Sequence, residues 1–270
     1  MPAHEVITPY ADLDRLLGEM LRHWQQILGE NLAGAYVQGS FALGGGDRHS
    51  DCDWLVATQS ALTQDQIARL RRLHAELPSR GVPWCEELEG SYAPIAEIAS
   101  VDHEGRRWLF NDHGRTTLAW DDHCNRAFTR WILREHGITL WGPTPESFMP
   151  VVPGVALRRE AAGALPTLES DLAGWIDIDT LAWGQRYAVA TACRQLYTLV
   201  TAEVATKHGA LEWGLRRLEP RWRPLLAQVR DERARGWEPQ RAPRPGEAEA
   251  ARAFLAHARS WAERTPVENG

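Results

Sequence analysis

Residues 36–58 read YVQGSFALGGGDRHSDCDWLVAT, and the organisation of the chain can be worked outward from them. A short strand, AYVQGS, breaks at Gly39-Ser40, and the glycine-rich loop FALGGGDRHS follows. DCDWLVAT is then a second strand, with Leu55 and Val56 giving it the apolar character of a buried one. Side chains alternate faces along a strand, so Asp51 and Asp53 share one face about 7 Å apart, while Cys52 and Trp54 point the other way. Two carboxylates at that spacing can share hard cations of the magnesium type, which take oxygen ligands and keep phosphate oxygens in their shell. The Gly39-Ser40 turn offers backbone N–H groups and a hydroxyl to a triphosphate, and the glycines at 44–46 keep that approach open. Asp-x-Asp by itself is common in surface turns, and Gly-Ser is commoner still. What points to chemistry is the combination: Gly-Ser after a strand, a glycine loop, and Ser50-Asp51-Cys52-Asp53 opening an apolar strand.

On the N-terminal side, residues 8–30 carry Leu13, Leu16, Leu17, Met20, Leu21, Trp24 and Leu28 at helical spacing, with Asn31 and Gly34 as stops. On the C-terminal side a helix is expected from Thr63, as cap, to Leu77, closed before Pro78. PWCEELEGSYAP reads as a third strand with acids at alternate positions, so that Glu87 and Glu89 share a face. Residues 100–125 are expected to be loops or short strands, and Asn125 to about Gly137 a helix. LWGPTPESFMPVVPG holds four prolines and reads as a linker. Helical patterns follow at roughly 156–175, 179–206, 208–217, 221–236 and 246–263, with a Pro/Arg-rich loop at 238–245. The fold expected is an α/β (α+β) domain over residues 1–152 followed by an all-helical bundle over 153–270.

Bulk composition narrows the classes. The 270 residues are 44% hydrophobic and 24% charged, the balance of an ordinary globular protein. No apolar run approaches the roughly 20 residues that span a bilayer. The N-terminus MPAHEVITPYADLDRLL has acids where a signal peptide has bases, so a cytoplasmic location is expected. Four cysteines lie far apart and make no Cys-x-x-Cys pair, which favours buried reduced thiols over a zinc knuckle or a disulfide framework. A net charge of -6 speaks against a nucleic-acid partner and suits a cationic small molecule. Most of the thirteen tryptophans should be core or interface residues. His103, His113, His123 and His136 fit no zinc spacing and read as scattered surface or cap residues; Asp122, His123 and Asn125 are an alternative cleft lining.

Residues 36–58 resemble the signature of the DNA polymerase β-type nucleotidyltransferase fold. TLWGPTPESFMPVVP and RYAVATACRQLYTLVTAEVATKHGALEWGLRRLEPRWRPLLAQVR are similar to the helical domain of the streptomycin/spectinomycin adenylyltransferases and their relatives. The resemblance covers about residues 30–240. It implies a nucleotidyltransferase domain followed by a helical domain that binds substrate and nucleotide. The activity implied is AMP transfer from ATP, with two Mg²⁺ ions, to a hydroxyl of a small acceptor of the aminoglycoside or aminocyclitol kind. By position, Asp51 and Asp53 are then the metal-binding carboxylates, and Gly39, Ser40, Ser50 and Arg230 the nucleotide contacts. Glu89 is the catalytic base, with Glu87 as its competitor or an acceptor contact, and Lys207 matches a common lysine. Departures bear on the acceptor: His208 stands where streptomycin-modifying members carry an aspartate, and Leu196 where they carry an aromatic. Both changes favour spectinomycin-like acceptors over streptomycin.

Two other classes share the motif. A toxin–antitoxin-type nucleotidyltransferase acting on protein or tRNA would show a broad basic face for a tRNA partner. A silent nucleotide-binding module would lack one of the two aspartates, and both are present. The sequence leaves the oligomeric state open.

Overall fold

The computed structural model describes residues 6–177, 181–233, 235 and 244–264. It divides into two compact units that meet between Val152 and Pro153.

The first unit is built on a six-stranded mixed sheet. Its strands are β1 (Leu32–Val37), β2 (Cys52–Thr58), β3 (Leu88–Pro94), β4 (Trp108–Asn111), β5 (Leu118–Asp121) and β6 (Ile138–Trp141), in the order β5-β4-β3-β2-β1-β6. Only β2 and β3 run parallel; every other neighbouring pair is antiparallel. The helices of this unit are α1 (Ala11–Leu28), α2 (Gly39–Ala42), α3 (Gln64–Glu76), α4 (Ile95–Ile98) and α5 (Ala127–His136). Alternation along the strands separates two cores. One face carries Val37, Cys52, Trp54, Val56, Leu88 and Tyr92 against the apolar stripes of α1 and α3. The other carries Tyr36, Leu55, Ala57, Ala93 and Phe110 against Ile98 and Leu133.

Helix α3 starts where its cap requires. Thr63 Oγ1 accepts from the Gln66 N–H at 3.2 Å, and Gln66 Oε1 accepts from the Thr63 N–H at 3.0 Å. Two expectations need correction. Pro83–Glu86 is a 3₁₀ turn and not the start of a strand, because proline sits readily at its first position and β3 begins only at Leu88. The first two residues of the supposed linker, Leu140 and Trp141, belong to β6, which gains its ladder by pairing with β1. The exposed Trp120 and Trp141 lie on the two edge strands, β5 and β6.

The second unit consists, among the described residues, of α6 (Gly154–Asp177), α7 (Leu181–Thr201), α8 (Lys207–Arg217), α9 (Arg223–Arg233) and α10 (Glu247–Arg264). Helix α7 is central and packs on the other four. Its small side chains permit this: Ala188, Ala192 and Cys193 are fully buried, and Gly214 of α8 lies against the Cys193 sulfur. All four cysteines are buried free thiols. Most of the expected 238–245 loop lies outside the described residues. No described helix is long and apolar enough to cross a membrane.

Candidate active site

The acids come together where the N-terminal ends of β2 and β3 lie side by side. In this parallel pair Asp53 stands opposite Glu89 in register. Registered residues share a face, so both carboxylates lie on the face that carries Leu55 and Ala93. Asp51 and Glu87 precede the strands, and the Cys52 N–H donates to the Glu87 carbonyl at 2.7 Å, tying the two entry segments together. Glu87 itself has φ -105° and ψ 2°, outside strand geometry. Strand alternation therefore does not relate Glu87 to Glu89, as the sequence reading assumed.

The turn after β1 closes directly on Asp53. Gly39 has φ +63°, and a Cβ there would stand 1.8 Å from Asp53 Oδ2. Only glycine accommodates both the backbone and the contact. The neighbouring Gln38 N–H donates to the Asp53 carbonyl at 2.9 Å. Gly39–Ala42 is a single helical turn, and Ser40 Oγ is buried there without a hydrogen-bond partner. Buried hydroxyls are normally satisfied, so this one is suited to a polar ligand atom. Ser50 differs. Its hydroxyl donates to Asp47 Oδ1 at 3.1 Å and accepts from the Asp47 N–H at 3.0 Å, which closes the glycine loop on itself.

Two histidines belong to this acidic cluster: His113, expected as a scattered surface residue, and His123, for which a cleft position was the alternative. His113 Nδ1 lies 3.1 Å from Asp51 Oδ1, and its Nε2 lies 3.4 Å from Glu87 Oε2. His123 Nε2 lies 2.9 Å from Glu89 Oε1. The hydrogen bond to Asp51 pushes His113 up to about 9, and that to Glu89 does the same for His123. Burial raises the Glu87 carboxyl above its ordinary range. The β4–β5 hairpin delivers His113. The Gly114 N–H donates to the Leu88 carbonyl at 2.8 Å, and a Cβ on Gly114 would meet Glu86 Cα at 2.4 Å. No local spacing could have revealed either histidine, because long-range pairing brings them to the acids. His136 instead packs against Trp131, ring centroids 5.1 Å apart.

One oxygen or nitrogen from each of Asp51, Glu87 and His113 falls within 4.8 Å of the others. With Asp53 alongside, the donor set is mainly carboxylate, as a hard divalent cation such as Mg²⁺ prefers. An open depression of about 520 Å³ is bordered by Glu87, His113 and Arg115.

In the helical unit, Arg230 pairs with Glu212 at 3.0 Å and Asp231 at 2.7 Å. Lys207 lies over the Tyr187 ring, 4.0 Å from its centroid. His208 is exposed. Leu196 is wholly buried, so its difference from an aromatic is a change of packing and not of a ligand-contacting surface.

The sheet with its acids and the separate helical unit resemble, in architecture and in sequence, known nucleotidyltransferases. Residues 158–259 match the model of the C-terminal domain of aminoglycoside adenylyltransferases. A spectinomycin 9-adenylyltransferase of Campylobacter jejuni is 25% identical, over 77% of this chain and 80% of the relative. An aminoglycoside (3'') (9) adenylyltransferase of Escherichia coli is 26% identical, over 82% of this chain and 84% of the relative. Among solved structures, spectinomycin adenyltransferase AAD(9) from Enterococcus faecialis, crystallised with ATP and spectinomycin, superposes with a TM-score of 0.67. That likeness covers 92% of this chain and 98% of the other at 14% identity, and it speaks for the fold alone.

Proposed function

We propose that the protein transfers AMP from ATP to a hydroxyl of an aminocyclitol or aminoglycoside, with Asp51, Asp53 and Glu89 as its reactive carboxylates. The observation that carries this reading is the registered Asp53–Glu89 pair closed over by Gly39. The named relatives, which adenylylate spectinomycin or other aminoglycosides, support the acceptor class.

Asp51 and Asp53 are the residues that would hold Mg²⁺, and two such ions, when bound, neutralise triphosphate charge and the developing leaving group. The Gly39 N–H and the Ser40 hydroxyl face phosphate oxygens, and Ser50 keeps the glycine loop closed by way of Asp47. Arg230, oriented by Glu212 and Asp231, serves as a nucleotide contact. Glu89 takes the proton of the acceptor hydroxyl as that oxygen bonds to the α-phosphorus. The bond from the α-phosphorus to the bridging oxygen of the β-phosphate breaks, and pyrophosphate leaves. ADP and GDP are therefore poor donors. Glu87 in the sheet unit is a candidate acceptor contact; in the helical unit the exposed His208 stands in place of a carboxylate, which disfavours the more cationic streptomycin.

Incubation with ATP, Mg²⁺ and a panel holding spectinomycin, streptomycin and other aminocyclitols tests this by mass spectrometry. The expected result is a gain of one AMP on spectinomycin-like members, with streptomycin modified more weakly. Strong modification of streptomycin with none of spectinomycin would overturn the acceptor assignment.

A further inference from the structure

We propose that His123 is a positioning residue for Glu89: it holds Oε1 of that carboxylate and leaves Oε2 free to take the acceptor proton. The inference rests on the reading of Glu89 as the base and goes beyond it.

Glu89 is largely buried, its side chain 12% exposed, and its ordered contact is His123 Nε2 at 2.9 Å. A carboxylate tethered at one oxygen loses rotation about its terminal torsion, and a base must stand within about 3 Å of the proton it removes. His123 is fitted for such a tether because it is itself fixed from three sides. Its ring stacks on Phe110 of β4, with centroids 5.3 Å apart and planes inclined by 29°. Its backbone N–H donates to Asp121 Oδ1 at 2.8 Å, which closes the turn that leaves β5. Two residues further on, the fully buried Asn125 anchors that turn, its Nδ2 donating to the carbonyls of His103 and Arg106. Asn125 Oδ1 in turn accepts from Arg130 Nε at 2.7 Å, and Arg130 donates onward to the carbonyls of Ile98 and Glu97. The loop bearing His123 is thus locked to α4 and α5, and Glu89 is locked to β2 by register. A merely structural surface histidine needs no such support.

The test compares wild type, His123→Phe, His123→Gln, Glu89→Gln and the double variant Glu89→Gln/His123→Phe. Phenylalanine keeps the stack on Phe110 and removes the N–H, while glutamine restores a donor at a similar reach. Turnover of spectinomycin and of streptomycin with ATP is measured, and thermal melting checks each fold. The expected result is a kcat roughly 10–100-fold lower in His123→Phe, the scale of one lost hydrogen bond to a charged group, with KM for ATP unchanged. Partial recovery is expected in His123→Gln, and no further loss when His123→Phe is added to Glu89→Gln. Wild-type kcat in His123→Phe beside a dead Glu89→Gln overturns the inference and leaves the base in place. A full additional loss in the double variant also overturns it. Wild-type turnover in Glu89→Gln, or no transfer by the wild type to either acceptor, overturns the parent reading and this inference with it.

Discussion

At Gly39 a single hydrogen in place of a methyl group decides whether the Asp53 carboxylate can occupy its position. Gly39→Ala would put a Cβ 1.8 Å from Asp53 Oδ2 at a φ of +63°, so either the turn or the carboxylate must move. The expected outcome is a folded protein of lower melting temperature with little transfer activity; wild-type kinetics would contradict it. Asp53→Asn should preserve the fold and abolish transfer, since an amide gives up the charge that a Mg²⁺ ion requires, and normal turnover in a well-folded variant would sink the metal assignment. The two glutamates separate in the same way. Glu89 stands beside Asp53 in the ladder, whereas Glu87 lies outside the strand and pairs with His113. Glu89→Gln should bind Mg·ATP by calorimetry about as well as wild type yet lose roughly 10²–10⁴-fold in turnover, with Glu87→Gln much milder. The reverse order of severity would move the base to Glu87.

Element by element, legibility followed how local the determining interaction is. The cap of α3 is written in Thr63 and Gln66, and the structure contains it. Thr63→Ala removes that box and should cost about 0.5–2 kcal/mol, read as a lowered midpoint of thermal unfolding; an unchanged midpoint would show that the cap is dispensable. Asp53 was legible because the apolar strand it opens is written in the residues that follow it, whereas Asp51 precedes β2, so that a pleat does not relate the two as the spacing suggested. By contrast, PWCEELEGSYAP reads as one strand by its alternating acids, and only the proline at its head signals the 3₁₀ turn that takes its first four residues. The strand β6 ends just before a proline-rich stretch and was hidden because what makes it a strand is β1, a partner far away in sequence. The same reason concealed His113 and His123. Nothing adjacent to either marks it, and the β4–β5 hairpin and the turn after it carry both to the acids. Leu196 taught the opposite lesson, since a position that seems to speak of specificity turns out to be core.

For the molecule as a whole, the core beneath the sheet carries its own titration. His74 is buried against Trp54 and lies 2.8 Å from the Tyr92 hydroxyl, and burial depresses it to about 3. The unfolded chain takes a proton on this residue below about pH 6.5, while the folded chain stays neutral there until about pH 3. Stability is therefore complete above pH 6.5 and falls as the pH drops through that window, by about 1.4 kcal/mol per pH unit for this one group. Urea midpoints of His74→Gln should fall less steeply between pH 6.5 and pH 4 than those of the wild type, and parallel curves would remove His74 from the account. The helical unit, matched to the C-terminal domain of aminoglycoside adenylyltransferases, and the sheet unit with its acids lead to one central claim, that an adenylyl group moves and not a phosphoryl group. The measurement that tests it most directly is transfer from ATP labelled at the α-phosphorus and, separately, at the γ-phosphorus, with spectinomycin as acceptor. The account predicts that the α-label appears on the antibiotic and the γ-label in pyrophosphate. Recovery of the γ-label on spectinomycin would contradict it.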